Sequence, residues 1–192
     1  MLGSLPKSLL VNGKEHPIDS DFRNILTIME AFSDPNLNMQ ERAYVLLHRI
    51  YDDLSAIPED DLQEAYKQAA LFIDAGAKPK DGPQPKLMDW QQDESLLFPA
   101  VNKVAGFETR ATEYLHWWTF VGYFMEINEG VYSQVLSLRQ KRAKGKKLEK
   151  WELEYWNANK DICRIENKKS DEQLAEIAAI EALLNGGGDD GS

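Results

Sequence analysis

The sequence predicts a mainly α-helical protein: a compact helical domain with a short N-terminal β-hairpin and a C-terminal helical extension. Three observations predict this fold class. Apolar residues recur three and four positions apart in several segments, which is the spacing of one face of an α-helix. Residues 113–125 have almost no polar face, which predicts a helix enclosed by other helices. An Asn-Gly pair near the N-terminus lies between two short segments and favours a hairpin.

Length and composition limit the class of protein. A chain of 192 residues can bury a substantial core as one domain without cross-links. Cys163 is the only cysteine, which excludes an intramolecular disulfide and a cysteine-rich metal site, and we interpret it as a small buried side chain. The formal net charge of −10 opposes long-range attraction to nucleic acid or to an anionic membrane. The sequence shows no secretory signal and no transmembrane segment, so we expect the protein to stay where it is made.

The first predicted element is the hairpin. Its strands are residues 8–11 and 14–18, and Asn12 with Gly13 supplies the two positive φ angles that a type I′ turn needs. Pro17 has no amide hydrogen to donate, so we expect the second strand at an edge. A two-stranded hairpin is marginal alone, so it is expected to pack on a larger element.

Three helices follow, each marked by start and stop signals. The residues that favour a helix start are Ser20 or Asp21, then Asn38 with Glu41 three positions later, then Pro58. The residues that end the first and third helices are Asp34 with Pro35, and Gly76. The acidic run 59–61 suits the positive end of a helix dipole, and we favour that interpretation over a metal site.

A proline-rich loop at 77–88 leads into the central part of the chain. The predicted boundaries of the next helices are Asp89 or Asp93 to Gly106 for the fourth, near Thr109 to Asn128 for the core helix, and Val131 onward for a shorter helix. The shorter helix leads into a basic run. This arrangement predicts that the core helix uses the earlier amphipathic helices as partners.

The pattern changes after residue 147. Apolar residues spaced 3, 4, 3, 4 and 3 form a heptad seam, namely Leu148, Trp151, Tyr155, Ala158, Ile162 and Ile165. Trp156 lies beside this seam and broadens it. We interpret the seam first as a surface that docks on the chain's own core, and second as a contact with another molecule.

The chain then closes with one more helix and a tail. Ser170 with Gln173 favours the start of the helix, whose apolar stripe is Leu174, Ile177, Ile180 and Leu184. An acidic glycine-rich tail over 186–192 is expected to be disordered. The predicted organisation is therefore a core domain over 1–147, a helical extension over 148–185 and this tail.

The sequence contains none of the common motifs of catalytic, phosphate-binding or metal sites. Glu113 lies three positions before His116, so on a helix its carboxylate can hydrogen-bond the imidazole ring. We interpret His116 as a structural residue at the edge of the core rather than as a ligand or base. We expect no catalytic residue, no metal and no cofactor.

A basic run follows the shorter helix and consists of Arg139, Lys141, Arg142, Lys144, Lys146, Lys147 and Lys150. Seven cations in twelve residues can contact a phosphate backbone locally. Cations are also favoured at a helix C-terminus, and we prefer the interpretation of a solvated helix end.

Several segments resemble one family of phage proteins. They are Val11-Asn-Gly-Lys-Glu-His-Pro-Ile-Asp-Ser-Asp-Phe22, Ile73-Asp-Ala-Gly76, Asp89-Trp90 and the string Glu113-Tyr-Leu-His-Trp-Trp-x-Phe120. In this order they resemble the phage gene-product-fifteen family, tail-assembly proteins of long-tailed phages that infect Gram-positive bacteria. The resemblance covers residues 8 to 166, and the Tyr-Leu-His-Trp-Trp string is its most specific part.

The resemblance implies a tail-assembly chaperone that binds the apolar tape-measure protein in the host cytoplasm, keeps it soluble and then leaves, so that the mature virion lacks it. The tail-tube protein is a further candidate partner, and self-association in several copies is expected. The family string Glu113, Tyr114, Leu115, His116, Trp117, Trp118 and Phe120 is expected in the core. The candidate partner-binding residues are Leu148, Trp151, Tyr155, Trp156, Ile162 and Ile165. The alternatives are a structural tail or connector subunit and a DNA-binding packaging accessory.

Overall fold

The computed structural model describes residues 3–77, 82 and 84–186, with the side chains of the last helix given as far as residue 178. The fold is mainly α-helical with an N-terminal hairpin and a C-terminal helix, as predicted. The strands are β1 (Ser8–Val11) and β2 (Lys14–Pro17). The helices are α1 (Phe22–Ser33), α2 (Met39–Ile50), α3 (Leu62–Ile73), α4 (Glu94–Ala105), α5 (Trp117–Met125), α6 (Val131–Ala143), α7 (Lys150–Ala158), α8 (Lys160–Cys163) and α9 (Asp171–Gly186).

The hairpin forms with the predicted turn. Strands β1 and β2 pair antiparallel, with Leu9 opposite His16. Asn12 has φ 45° and Gly13 has φ 87°, which are the two positive angles of the type I′ turn. Val11 is buried and the hairpin packs against α3, so the larger element that it needs is the third helix.

The predicted caps are confirmed at the starts of α1 and α2 and at the end of α4. The Asp21 carboxylate accepts a hydrogen bond from the Arg23 amide at 2.9 Å. Asn38 and Glu41 form the reciprocal capping box of α2. Gly106 ends α4 in the left-handed region with φ 79°, where a side chain would be strained.

The predicted start of α3 at Pro58 is wrong, because a 3-10 turn over Glu59–Asp61 precedes the helix. The Asp93 side chain makes no capping hydrogen bond at the start of α4.

One apolar core joins the hairpin to α1–α5 and the start of α6. Its buried members are Leu9, Val11, Ile18, Phe22, Ile25, Ile28, Leu46, Ile50, Tyr51, Ile57, Ala65, Ala69, Phe72, Leu97, Phe98, Val101, Trp117, Phe120 and Tyr132. The rings of Phe22 and Phe120 stack at the centre, with centroids 4.5 Å apart. The first and fifth helices are therefore fixed to each other at their N-terminal turns.

The predicted start of the core helix is wrong, because α5 begins at Trp117 and not near Thr109. Residues 112–116 run extended beside the start of α1, where the Phe22 amide donates to the Leu115 carbonyl at 2.9 Å. The Leu115 amide donates to Asp21 Oδ2 at 3.0 Å. Backbone groups that a longer helix would pair internally are thus paired with another segment. The helix is also only partly enclosed, since Met125 is 67% exposed.

The predicted single helix after residue 147 is also wrong. Helix α7 ends at Ala158, and Asn159 has φ −126° and ψ 46°, which breaks the helix before α8. The heptad seam therefore does not lie on one continuous helix. Helix α6, expected to be short, is longer than α5, with 13 residues against 9.

Both α7 and α8 lie close to the core domain, and α8 packs on α6. The division at residue 147 remains a prediction. Gly186, predicted as the first residue of the tail, belongs to α9. Residues 187–192 of the predicted tail and residues 78–81 and 83 of the predicted loop lie outside the described residues. Within the described chain, no helix is long and apolar enough to cross a membrane.

Candidate partner-binding surface

The family string lies where the core meets the N-terminal arm. His116, Trp117 and Phe120 are buried, whereas Leu115 and Trp118 are half-buried. Tyr114 is 47% exposed, but its hydroxyl is hydrogen-bonded to Ser20 Oγ at 2.8 Å. Glu113 is exposed. The string thus has a buried second half and a surface-exposed start.

The two tryptophans of the string cap another helix. Trp117 Nε1 donates to the Ile73 carbonyl at 2.8 Å, and Trp118 Nε1 donates to the Phe72 carbonyl at 2.8 Å. These carbonyls belong to the last turn of α3, where a helix leaves carbonyl groups without internal partners. The adjacent indoles therefore have a structural task that accounts for their pairing in the sequence.

His116 caps α5 and holds the N-terminal arm. Its Nδ1 accepts a hydrogen bond from the Trp118 amide at 3.0 Å, so the ring hydrogen is on Nε2, which donates to the Pro6 carbonyl at 2.8 Å. The suggested contact with Glu113 is wrong, because His116 precedes the helix and Glu113 lies in the extended segment before it. Both ring nitrogens are occupied by backbone groups.

A buried ion pair joins the C-terminal segment to the core. The Arg139 guanidinium binds both carboxylate oxygens of Asp93 at 2.7 Å, and both side chains are almost fully buried. Its remaining donors go to the carbonyls of Leu87, Ile162 and Cys163. All five N–H groups of Arg139 are thus used, which is the condition under which burying this charge is tolerable.

The ion pair changes the interpretation of the basic run. Arg139 is 5% exposed and does not belong to a cationic surface. Lys141 donates to the buried Glu152 carboxylate, and the Arg142 guanidinium lies 4.4 Å from the centre of the Trp156 ring. Three of the seven cations therefore serve contacts within the chain. Lys144, Lys146, Lys147 and Lys150 are exposed.

Most of the predicted partner-binding residues face the chain itself. Trp156 is 6% exposed and belongs to a second buried cluster with Val135, Leu138 and Cys163. Leu148, Tyr155 and Ile162 are half-buried against the same cluster, and Ile165 is also half-buried. Burial raises the pKa of the Cys163 thiol, which suits an inert side chain.

Trp151 is the member of the predicted set that is mainly exposed. Its exposed fraction is 57%, and Leu153 on the same helix is 48% exposed. Because they are two positions apart on a helix, Trp151 and Leu153 point to nearly opposite sides, so Trp151 is a single exposed anchor rather than part of an apolar face. Sequence analysis did not select Leu153, because it lies off the seam. The available signal was a large apolar residue among charged neighbours.

Two adjoining grooves along α1 were missed by the sequence analysis. One, of about 450 Å³, lies between α1 and the segment that leads into α4. The other, of about 320 Å³, lies between α1 and α3. The two grooves share Met29, Ser33 and Trp90, and together they are the α1 trough. Its other apolar walls include Leu26 and Phe32.

The described part of the chain brings no three His, Cys, Asp or Glu side chains together as a metal site. The fold and surface define a mainly helical protein whose distinctive exposed features are apolar. A model of the family described as bacteriophage Gp15 protein matches residues 1–165, and the chain belongs to that family. The match places it among phage proteins with a structural or assembly role. No curated protein and no solved structure matched the chain.

Proposed function

We propose that the protein is a tail-assembly chaperone that binds the tape-measure protein in the host cytoplasm and keeps it soluble until the tail tube forms around it. Membership of the bacteriophage Gp15 family supports an assembly role. On this proposal the protein leaves the finished tail and is missing from the virion. The tail-tube protein is the next partner in the same sequence of events.

The observation that carries the proposal is the exposure of Trp151 on a helix that is firmly docked. Trp156 on the same helix is buried, and the neighbouring helix α8 is fixed by the bonds from Arg139 to Ile162 and Cys163. The helix thus presents a tryptophan to solvent from a rigid base. Exposed tryptophans in such positions commonly anchor protein partners, because a large ring buries much surface at little cost in conformational entropy.

The acidic surface suits the same task. With a net charge of −10, a complex between this chain and an apolar client keeps a strong negative charge and resists aggregation. Binding needs no covalent step. It needs apolar anchors on the chaperone and release when the tube subunits compete for the client.

The test is co-expression of this chain with the product of the neighbouring tape-measure gene, measuring the fraction of the tape-measure protein that is soluble and co-purifies. The wild-type chain should solubilise the client, and Trp151→Ala should lower co-purification about tenfold or more, the usual effect of losing a tryptophan anchor. The urea midpoint of the Trp151→Ala chain should equal that of the wild type.

Tyr44→Ala is the matched control. Tyr44 is 62% exposed and aromatic, but it lies on α2 against His48. It should leave client binding unchanged. A client that stays insoluble with the wild-type chain would reject the chaperone proposal. Detection of the chain in purified virions would then favour the structural subunit.

A further inference from the structure

The turn between α6 and α7 is a cationic surface on an otherwise acidic chain. Residues 139–150 contain seven lysines and arginines and one glutamate, a net charge of +6, so the other 180 residues carry −16 within the total of −10. The exposed cations at the turn itself are the lysine patch, namely Lys144, Lys146, Lys147 and Lys150. None of the four forms an ion pair with a described residue.

The lysine patch lies at the same end of the molecule as Trp151. Helices α6 and α7 are held side by side near this end, because Lys141 donates to the Glu152 carboxylate. Lys144 follows Lys141 within one helical turn, and Trp151 directly precedes Glu152. Lys150 is the neighbour of Trp151 in the chain. The exposed tryptophan and the lysines therefore form one continuous surface.

Helix stability does not account for the lysine patch. The Lys144 amide donates to the Gln140 carbonyl at 3.1 Å, and the Lys146 amide donates to the Lys141 carbonyl at 2.9 Å. These carbonyls at the end of α6 are thus paired with backbone amides and need no lysine side chain. Lys150 is the first residue of α7, where the helix dipole disfavours a cation. The lysine charges are therefore available to a partner outside the chain.

The extent of the lysine patch favours a short acidic segment of protein over a nucleic acid. A DNA duplex carries a negative charge about every 1.7 Å along its axis, so it continues past four lysines onto the acidic remainder of the surface. A short acidic segment places all its carboxylates on the patch. Glu149 is exposed within the patch and leaves three of its four positive charges uncompensated. Glu154 is exposed one turn after Trp151, so the carboxylates of the partner are restricted to the lysine side of the ring.

We propose that the lysine patch and Trp151 together bind an acidic protein segment, with an apolar side chain of that segment against the Trp151 ring. The lysines attract and orient the segment, and the ring supplies the buried area. The owner of the segment rests on the proposed function, under which it is the tape-measure protein. The binding chemistry itself is a property of the purified chain.

The first probe is a short synthetic peptide in which several glutamates lie to one side of a leucine, compared with the same peptide carrying glutamines. Binding to the purified chain is measured by the fluorescence anisotropy of a dye on the peptide. The acidic peptide should bind at least about tenfold more tightly, because several surface ion pairs of modest strength add up to that ratio. The difference should shrink between about 50 and about 300 mM salt. Equal binding of the two peptides, or a difference that salt does not change, would overturn the proposal.

Two double variants with the same net charge separate the lysine patch from a general charge effect. Lys146→Gln with Lys147→Gln should weaken binding of the acidic peptide about two- to tenfold. Lys14→Gln with Lys169→Gln should leave it unchanged, because these exposed lysines lie on the hairpin and before α9. Trp151→Ala should also weaken binding. Equal losses in the two double variants would show that only the net charge matters and would overturn the proposal.

Other occupants of the lysine patch give different results. A single-stranded oligonucleotide that binds more tightly than the acidic peptide, and loses that binding in the Lys146 and Lys147 variant, would assign the patch to nucleic acid. A dimer in sedimentation equilibrium that the same variant abolishes would assign it to a second copy. Either result would overturn the proposal. Failure of the tape-measure co-expression with normal binding of the acidic peptide would instead reject the chaperone function and leave the acidic-segment surface in place.

Discussion

Replacing Arg139 with methionine is the sharpest test of how the C-terminal segment is held. Methionine keeps the aliphatic volume but leaves the Asp93 carboxylate, 2% exposed, without its partner. The carbonyls of Leu87, Ile162 and Cys163 lose their donor as well. Breaking a buried ion pair from one side typically costs about 3–5 kcal/mol, because a charge remains buried without compensation.

The loss is measurable by thermal unfolding followed by tryptophan fluorescence. In a chain of this size each kcal/mol shifts the thermal midpoint by roughly 2–4 °C, so the Arg139→Met midpoint should fall by about 6–20 °C. Cys163 gives a local signal in the same experiment. Its side chain is fully buried, and its carbonyl accepts from Arg139 Nε at 3.1 Å, so its thiol should react much faster in native buffer once that bond is lost.

Arg142→Met is the matched control on the same helix. Arg142 is exposed and its guanidinium lies over the Trp156 ring, so this change removes a cation without leaving a buried charge. It should have a much smaller effect on the midpoint. If the free energy of unfolding of Arg139→Met is within about 1 kcal/mol of the wild-type value and the Cys163 thiol stays unreactive, the ion pair does not hold the C-terminal segment in place.

Three further predictions concern single side chains. Trp117→Phe should lower the free energy of unfolding by about 1–3 kcal/mol in urea, because the Ile73 carbonyl loses its donor; an unchanged midpoint would contradict the capping role. Gly13→Ala should destabilise by about 1 kcal/mol at φ 87°, whereas Gly122→Ala, inside α5 with open space around it, should stabilise by up to about 1 kcal/mol. Burial raises the pKa of Tyr51 to about 12, whereas its pKa in the unfolded chain is about 10. The protonated hydroxyl therefore contributes fully to the free energy of unfolding below about pH 10, and this contribution disappears as the pH rises toward 12. When the pH is raised from about 9 to about 11, the urea midpoint should therefore fall less for Tyr51→Phe than for the wild type.

Local signals in the sequence predicted the first half of the fold well. The Asn12-Gly13 turn, the Asp21 cap and the capping box at Asn38 depend on atoms within three residues of one another. Such interactions need no contact with a distant segment, so the local sequence is enough to predict them. The boundaries of the hairpin, α1 and the start of α2 consequently agree with the structure, whereas α3 begins at Leu62 and not at Pro58.

The start of α5 depends on contacts between distant segments. Residues 112–116 are extended because the Asp21 carboxylate and the α1 backbone pair with Leu115, more than ninety positions away in sequence. The apolar pattern of that stretch suits a helix equally well, so periodicity alone cannot place the boundary. The same limit applies to the α1 trough, which is formed by residues of α1 together with Trp90.

The heptad seam failed for a different reason, which also explains why Trp151 is exposed. The residues of α7 that are most buried are Glu152 and Trp156, one position away from Trp151 and Tyr155 of the predicted seam. Sequence patterns do not predict a glutamate in a buried position. The Glu152 carboxylate is buried here because it accepts hydrogen bonds from Lys141 and from the Glu149 amide. Because the buried residues of α7 are Glu152 and Trp156 rather than Trp151 and Tyr155, the docking contacts and Trp151 lie on neighbouring sides of one helix. Changes to either face can therefore be made separately, which is why loss of client binding by Trp151→Ala can be distinguished from loss of the fold.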